Sequence, residues 1–182
     1  MPTQQQDLSK AIKISPPELN IAAGTILLPI NKALLRLPGE SVTIDEIQFS
    51  QKPEVHVTLV GRKVGELLTK ADGGLGLVFD SIRRIIDETP WSISQSSRYI
   101  QLHKVKPIEG SIETIDARSI IELVNIAGAE DFYRKLSKIV GTEVLPPPLH
   151  MTIFTNTDPE GIGVASEADL LKYREKDIRS LR

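Results

Sequence analysis

The feature that most constrains the fold is a four-residue motif that occurs twice, as HVTL at residues 56–59 and as HMTI at residues 150–153. Both copies lie in stretches that alternate polar and apolar residues, a pattern typical of half-buried β-strands. Successive side chains of a strand point to opposite faces, so each copy places its histidine and threonine on one face. The chain must therefore form two strands that bury an apolar side and present an imidazole and a hydroxyl on the other.

The segments around the two motifs predict helices and further strands. Apolar residues at helical spacing predict amphipathic helices, and Gly141 and Ser166 have the properties of a C-cap and an N-cap. Alternating segments that flank a turn at Glu109-Gly110 predict a hairpin. The predicted helices are 64–70, 77–88, 130–140 and 167–173, and the predicted hairpin strands are 98–106 and 112–124. This order of elements indicates an α+β fold.

The chain divides into a short arm and one domain. Residues 1–18 are polar and end at Pro16-Pro17, so we expect a flexible N-terminal arm. No linker-like segment interrupts residues 19–182, which we therefore interpret as a single domain. The last residues are charged and are expected to fray.

Composition narrows the classes of function. The 182 residues include no cysteine, which excludes disulfides and thiol nucleophiles. No apolar run approaches the roughly 18 residues of a membrane span, and no signal-peptide pattern is present, so a cytoplasmic protein without a membrane partner is expected. With 22 basic and 24 acidic residues, the chain lacks the positive charge that long duplex nucleic acid requires, and a small anionic ligand or a nucleic-acid end is favoured. We expect a monomer.

The two tetrapeptides resemble the HxTx signature of the two-histidine (2H) phosphoesterase superfamily, and both copies fit it without a substitution. The similarity in the order of elements spans residues 42–165. The family includes RNA 2′,3′-cyclic phosphodiesterases, also called 2′-5′ RNA ligase-like proteins. The resemblance implies two pseudo-symmetric α+β lobes, with antiparallel sheets flanking a central cleft to which each lobe contributes one motif strand.

The resemblance also implies roles for the four polar motif residues. His56 and His150 would be the catalytic acid and base, and Thr58 and Thr152 would bind the substrate phosphate. Histidine titrates near neutrality, so one neutral and one protonated imidazole can coexist in such a site. The expected activity is hydrolysis of a nucleotide or RNA-end 2′,3′-cyclic phosphate, or of a 2′-5′ phosphodiester, without metal or other cofactor. Which histidine is the base stays open, because the motifs are nearly symmetric.

Three further residues are candidate substrate contacts. Phe154 follows the second motif on the same predicted face and has a ring that can stack on a base. Tyr99 lies on the predicted strand 98–106, and Arg62 follows the first motif strand. Each has an ordinary alternative: Phe154 and Tyr99 can close the bottom of the cleft, and Arg62 can be a solvated loop charge.

Other interpretations of the same residues remain open. His56, His103 and His150 could together bind zinc, although no close pair of histidines supports it. The loop Asp72–Gly76 precedes a helix but lacks the spacing of known phosphate-binding loops, so a connector is favoured. The cleft could bind a nucleotide or RNA end without catalysis. The two motifs could also be accidental in an interaction protein, with histidines too far apart to share a phosphate.

Overall fold

The computed structural model describes residues 11–108 and 110–181. Within these residues the helices are α1 (Arg62–Asp72), α2 (Leu77–Glu88), α3 (Ala129–Val140) and α4 (Glu167–Tyr173), with a short 3-10 turn at Lys32–Leu34. The strands are β1 (Ile12–Lys13), β2 (Glu18–Asn20), β3 (Thr25–Ile30), β4 (Ser41–Ile44), β5 (Ile47–Gln51), β6 (Val55–Val60), β7 (Ser92–Pro107), β8 (Thr114–Ala127), β9 (His150–Asn156) and β10 (Arg174–Ile178).

The strands form one curled antiparallel sheet in the order β1-β7-β8-β9-β6-β3-β2. β10 pairs with β7, and the β4–β5 hairpin joins the sheet through the pairing of β5 with β9. The expected α+β class with antiparallel strands is confirmed. The two motif strands, β6 and β9, are neighbours near the middle of the sheet, although 89 residues of sequence lie between them.

The main core lies between one face of the sheet and helices α1, α2 and α3. It is apolar because each of these helices places its hydrophobic stripe against the sheet, and burial of that surface stabilises the fold. Among its fully buried side chains are Leu28, Phe49, Val57, Leu68, Ile82, Phe132, Leu136, Met151 and Phe154. A smaller cluster on the opposite face joins β7 and β8 to α4 and the segment before it; it contains Ile100, Leu102, Ala117, Ile121, Ile162, Val164 and Leu170.

Local sequence signals set most helix ends. α2 and α4 have their predicted bounds, and the Ser166 hydroxyl accepts a hydrogen bond of 3.1 Å from the amide of Asp169. Gly141 ends α3 in the left-handed conformation, with φ +70°. α1 is longer than predicted at both ends, since it begins at Arg62, directly after Gly61.

The two chain ends differ from expectation. Part of the expected arm is docked, because Ile12 pairs with Ile93 of β7 and the amide of Ile14 donates to the carbonyl of Trp91. The rest of the arm, residues 1–10, lies outside the described residues, as does Glu109 of the predicted turn. The expectation that the last residues fray is wrong for β10, which pairs with β7 through backbone hydrogen bonds that leave its charged side chains free to face solvent or ionic partners.

The glycine-rich loop has an internal explanation. The carboxylate of Asp72 accepts hydrogen bonds from the amides of Gly76 (2.8 Å) and Val78 (2.9 Å) at the start of α2. These hydrogen bonds hold the pKa of Asp72 below its ordinary value. The amides that a phosphate would need are thus occupied by the protein itself, which supports the connector interpretation. Within the described ranges, no helix has the length and apolar character needed to cross a bilayer.

Candidate active site

The pairing of β6 with β9 brings the two motifs together. Val57 and Met151, the second residues of the two motifs, are opposed in the antiparallel register, and both are fully buried in the main core. The alternation of a strand therefore places the four polar motif residues, His56, Thr58, His150 and Thr152, on the opposite face. We call this surface the histidine face.

The register also fixes the arrangement within this group. One step either side of the Val57–Met151 pair, His56 lies opposite Thr152 and Thr58 lies opposite His150. Directly opposed side chains have Cβ atoms about 4.5–5.5 Å apart, and diagonal ones about 7–8 Å. The two imidazoles thus occupy a diagonal of a small quadrilateral and the two threonines occupy the other. At these spacings, a phosphate-sized group placed at its centre would be within reach of all four side chains.

Each motif threonine has its methyl group beside a glycine. A Cβ atom at Gly161 would lie 3.0 Å from Cγ2 of Thr152, and one at Gly61 would lie 3.8 Å from Cγ2 of Thr58. Both threonines are half-buried, and neither hydroxyl hydrogen-bonds to another described residue. The hydroxyls are therefore free to donate to a ligand on the histidine face.

The imidazole of His150 is held by the segment that directly precedes it in the chain. Its Nδ1 lies 2.6 Å from the carbonyl oxygen of Pro148, so in the neutral imidazole Nδ1–H donates to that carbonyl and Nε2 keeps a free lone pair. The three prolines at 146–148 restrict the backbone that carries this carbonyl. Burial lowers the pKa of His150, the hydrogen bond to Pro148 opposes that shift, and the neighbouring His56 lowers the pKa further.

His56 has charged neighbours instead. Burial is the largest cause of its lowered pKa; the ammonium of Lys52 lowers the pKa further, and the carboxylate of Glu54 opposes both effects. Lys52 is fixed beside the motif strands: its Nζ donates to the carbonyls of Pro159 and Glu160, at 3.0 Å each, and its amide donates to the carbonyl of Ile153 at 2.8 Å. A positive charge is thus held near His56.

Apolar side chains flank the four polar residues. On β3, Pro29 lies opposite His56 and Leu27 lies opposite Thr58, and both are half-buried. On β8, Ile121 lies opposite Thr152 and Leu123 lies opposite His150. The segment from Gly161 to Val164 and helix α4 pack on the β8 side, so they form a wall beside Thr152. Such walls lower the local dielectric and strengthen any polar contact with a ligand.

Two of the predicted substrate contacts lie elsewhere. Phe154 is completely buried in the main core. Thr152 and Phe154 are opposed to the adjacent residues Ile121 and Ile120, so β9 has one extra residue, Ile153, at this point. This bulge turns Phe154 away from the histidine face, and its ring cannot stack on a base. Tyr99 is opposed to Glu122, which is opposed to the core residue Met151. Tyr99 therefore lies on the core face of the sheet.

Arg62 and His103 also lie apart from the quadrilateral. Arg62 is the first residue of α1 and borders a shallow groove with Ala22, Ala23 and Glu66, a groove that contains none of the four polar motif residues. His103 lies four residues after Tyr99 on β7 and so points to the same face of the sheet. Its Nε2 contacts the carboxylate of Asp116. This position excludes a zinc site formed by all three histidines. Across residues 11–108 and 110–181, no group of three or more potential metal-ligating side chains is clustered.

Sequence reasoning overlooked two cations near the histidine face. Lys52 precedes the first motif by four residues, and its place in a strand-to-strand loop was the available signal. Arg98 lies opposite Leu123 and so shares the face of His150, but a bulge in β7 determines that register. Comparisons of the chain with family models, curated proteins and solved structures found no match.

Proposed function

We propose that the protein is a 2H-type phosphodiesterase that hydrolyses a nucleotide or RNA-end 2′,3′-cyclic phosphate, or a related 2′-5′ phosphodiester, by two-histidine acid–base catalysis that needs no metal. The observation that carries the proposal is the pairing of Val57 with Met151, which gathers two imidazoles and two free hydroxyls on one small surface. The residue types and their spacing match what opening a phosphodiester requires.

The proposed reaction assigns different roles to the histidines. Neutral His150 accepts a proton from water through Nε2, because Pro148 holds the other ring nitrogen as a donor. The water oxygen forms a bond to phosphorus while the bond from phosphorus to the leaving ribose oxygen breaks. Protonated His56 donates its proton to that oxygen. The bound phosphodiester anion raises the pKa of His56 and so favours its protonated form.

Thr58 and Thr152 donate hydrogen bonds to the non-bridging oxygens of the phosphate. Negative charge on these oxygens grows toward the transition state, so a fixed donor stabilises the transition state more than the ground state. The proposal includes a pseudo-twofold relation between two halves of the fold. It is supported by the opposition of equivalent motif residues across β6 and β9 and by the glycine beside each motif threonine.

A hydrolysis panel in EDTA tests the proposal. The substrates are 2′,3′-cyclic mononucleotides, a short RNA ending in a cyclic phosphate, 2′-5′ oligoadenylate and cyclic dinucleotides. The wild type is compared with His56→Ala, His150→Ala and a matched control, His103→Ala, which removes a histidine outside the quadrilateral. We expect turnover in wild type and control and its loss in both motif variants. Equal activity in all four proteins contradicts the mechanism.

One observation favours a second function, a nucleotide or RNA-end binding module without catalysis. Burial lowers the pKa of both His56 and His150 from the ordinary 6.5, which disfavours the protonated imidazole that the acid role requires. Binding of a nucleoside 2′-monophosphate without turnover of any panel substrate would support this module. Turnover that depends on both histidines excludes it.

A further inference from the structure

A row of three side chains crosses the histidine face from β9 to β7. Leu123 of β8 is opposed to His150, and Arg98 of β7 is opposed to Leu123. Directly opposed residues of antiparallel strands share a face, so Arg98 lies on the histidine face two strands from His150. At a strand spacing of about 4.8 Å the two Cα atoms are about 10 Å apart, and the long arginine side chain can extend over Leu123 toward the imidazole.

A β-bulge fixes the position of Arg98. Ser96 and Ser97 are inserted in β7 between Gln95 and Arg98, and Ser97 has a left-handed backbone with φ +56°. The Ser96 hydroxyl accepts from the amide of Arg98 at 3.1 Å and donates to the carbonyl of Leu123 at 2.5 Å. Bulges commonly redirect a side chain next to a functional site, and this one sets Arg98 in the row of His150.

A buried carboxylate supports the bulge from the core face. Glu122 accepts hydrogen bonds from the amide of Ser97 (2.9 Å) and from Nε2 of Gln95 (2.8 Å). Its side chain is fully buried, and burial raises its pKa. A buried carboxylate is costly unless it is hydrogen-bonded, and the two hydrogen bonds of Glu122 hold Gln95 and Ser97 at the bulge.

The charge of Arg98 is available to a ligand. Its side chain is exposed, and within the described parts of the chain no carboxylate lies within salt-bridge distance of it. Four other arginines have such a partner, namely Arg83, Arg118, Arg134 and Arg174, whereas Arg84, like Arg98, has none among the described residues. An unpaired guanidinium beside a proposed phosphate site attracts anions and can form two parallel hydrogen bonds to a phosphate.

We propose that Arg98 binds a second phosphate of the substrate, so that the site selects an oligonucleotide end over a mononucleotide. This inference rests on the proposed function. The terminal cyclic phosphate lies between the two histidines, and the preceding phosphodiester extends across Leu123 to the guanidinium. Arg98 is a specificity-determining residue in this arrangement and takes no part in the proton transfers.

A matched pair of substrates tests the inference: a nucleoside 2′,3′-cyclic phosphate and a dinucleotide that ends in the same cyclic phosphate. We expect the wild type to have a higher kcat/KM for the dinucleotide. Arg98→Gln lowers that value about tenfold, mainly through KM, and leaves the mononucleotide value unchanged. Arg98→Lys keeps the charge but loses the two-point contact, so it retains part of the preference for the dinucleotide. The control is Arg84→Gln, because Arg84 is exposed on α2 at the opposite face of the sheet, and we expect it to leave kcat/KM for both substrates unchanged.

Binding of the possible products, the 2′- and 3′-monophosphates of the nucleoside and of the corresponding dinucleotide, is measured beside turnover. A wild-type preference for the dinucleotide that persists in Arg98→Gln contradicts the role of Arg98 alone. So does the absence of any preference in the wild type, or an equal loss on both substrates. If the wild type hydrolyses neither substrate and binds none of the product compounds, the proposed function fails and the Arg98 inference fails with it.

Discussion

The two motif strands carry the same residue types but surround their histidines differently. His150 is tied to the carbonyl of Pro148, and its lowered pKa comes mainly from burial. Burial is also the main cause of the lowered pKa of His56, but His56 lies in addition beside charges of both signs, on Lys52 and Glu54, which shift its pKa in opposite directions. Equivalent positions in a repeated motif therefore give one imidazole with a fixed tautomer and one whose protonation responds to nearby charge. This contrast is the reason for assigning the base to His150 and the acid to His56.

The largest expected effect is the loss of activity when either motif histidine is replaced, and a second substrate separates their roles. On a nucleoside 2′,3′-cyclic phosphate, His56→Ala and His150→Ala should each lower kcat by about 10²–10⁴-fold, the usual contribution of a positioned acid or base. On an aryl phosphodiester, whose leaving group departs without protonation, His56→Ala should recover most of the activity and His150→Ala should not. Steady-state rates of both variants on both substrates check this. Recovery in His150→Ala instead would reverse the assignment.

A smaller loss is expected for the threonines. Thr58→Val and Thr152→Val keep the side-chain shape but remove the hydroxyl, and each should lower kcat by roughly 10- to 100-fold, the value of one hydrogen bond to a charged group. Thr→Ser at the same positions keeps the donor and serves as the control. If the serine variants lose as much activity as the valine variants, packing against Gly61 and Gly161 matters more than the hydroxyls.

The pH dependence of kcat/KM sharpens the comparison further. The free enzyme needs one neutral and one protonated imidazole, and both pKa values are lowered from 6.5, so the fall of kcat/KM with rising pH should begin below pH 6.5. Lys52→Met removes a cation that lowers the pKa of His56, and the alkaline limb should move to higher pH. Glu54→Gln removes an anion that raises this pKa, and the limb should move to lower pH. Shifts in the same direction for both variants would show that His56 is not the acid.

The smallest expected effect concerns stability. Because the folded-state pKa of His150 lies below the ordinary 6.5, the unfolded chain binds the proton more readily between those two values. The free energy of unfolding should therefore be fully retained above pH 6.5 and should decrease as the pH falls from 6.5 to the folded-state pKa. Urea titrations at several pH values, with His150→Asn as the comparison, measure this. An equally steep dependence in the variant would place its origin at another group.

Local patterns in the sequence were sufficient for part of the fold. Helices with an apolar stripe, such as 77–88, and a capped helix such as 167–173 depend on residues three or four positions apart, which the sequence displays directly. The face shared by His56 and Thr58 follows from strand alternation alone. That alternation also predicted correctly that Met151 and Ile153 are buried.

Long-range register was not accessible in the same way. The opposition of Val57 and Met151 depends on how distant strands pair, and the sequence shows only that the two strands resemble each other. Bulges are harder still, because one extra residue changes which side chain faces the ligand. One bulge buries Phe154, and another places Arg98 on the histidine face while its neighbour Tyr99 faces the core.

The central claim is that both motif imidazoles meet the same phosphate. An NMR titration of the histidine side chains, with and without a nucleoside 2′-monophosphate, tests it most directly. We expect the bound phosphate to raise the pKa of both His56 and His150, because an anion close to an imidazole favours its charged form, and we expect no response from His103. A pKa change confined to one of the two motif histidines, or to neither, would contradict a shared site.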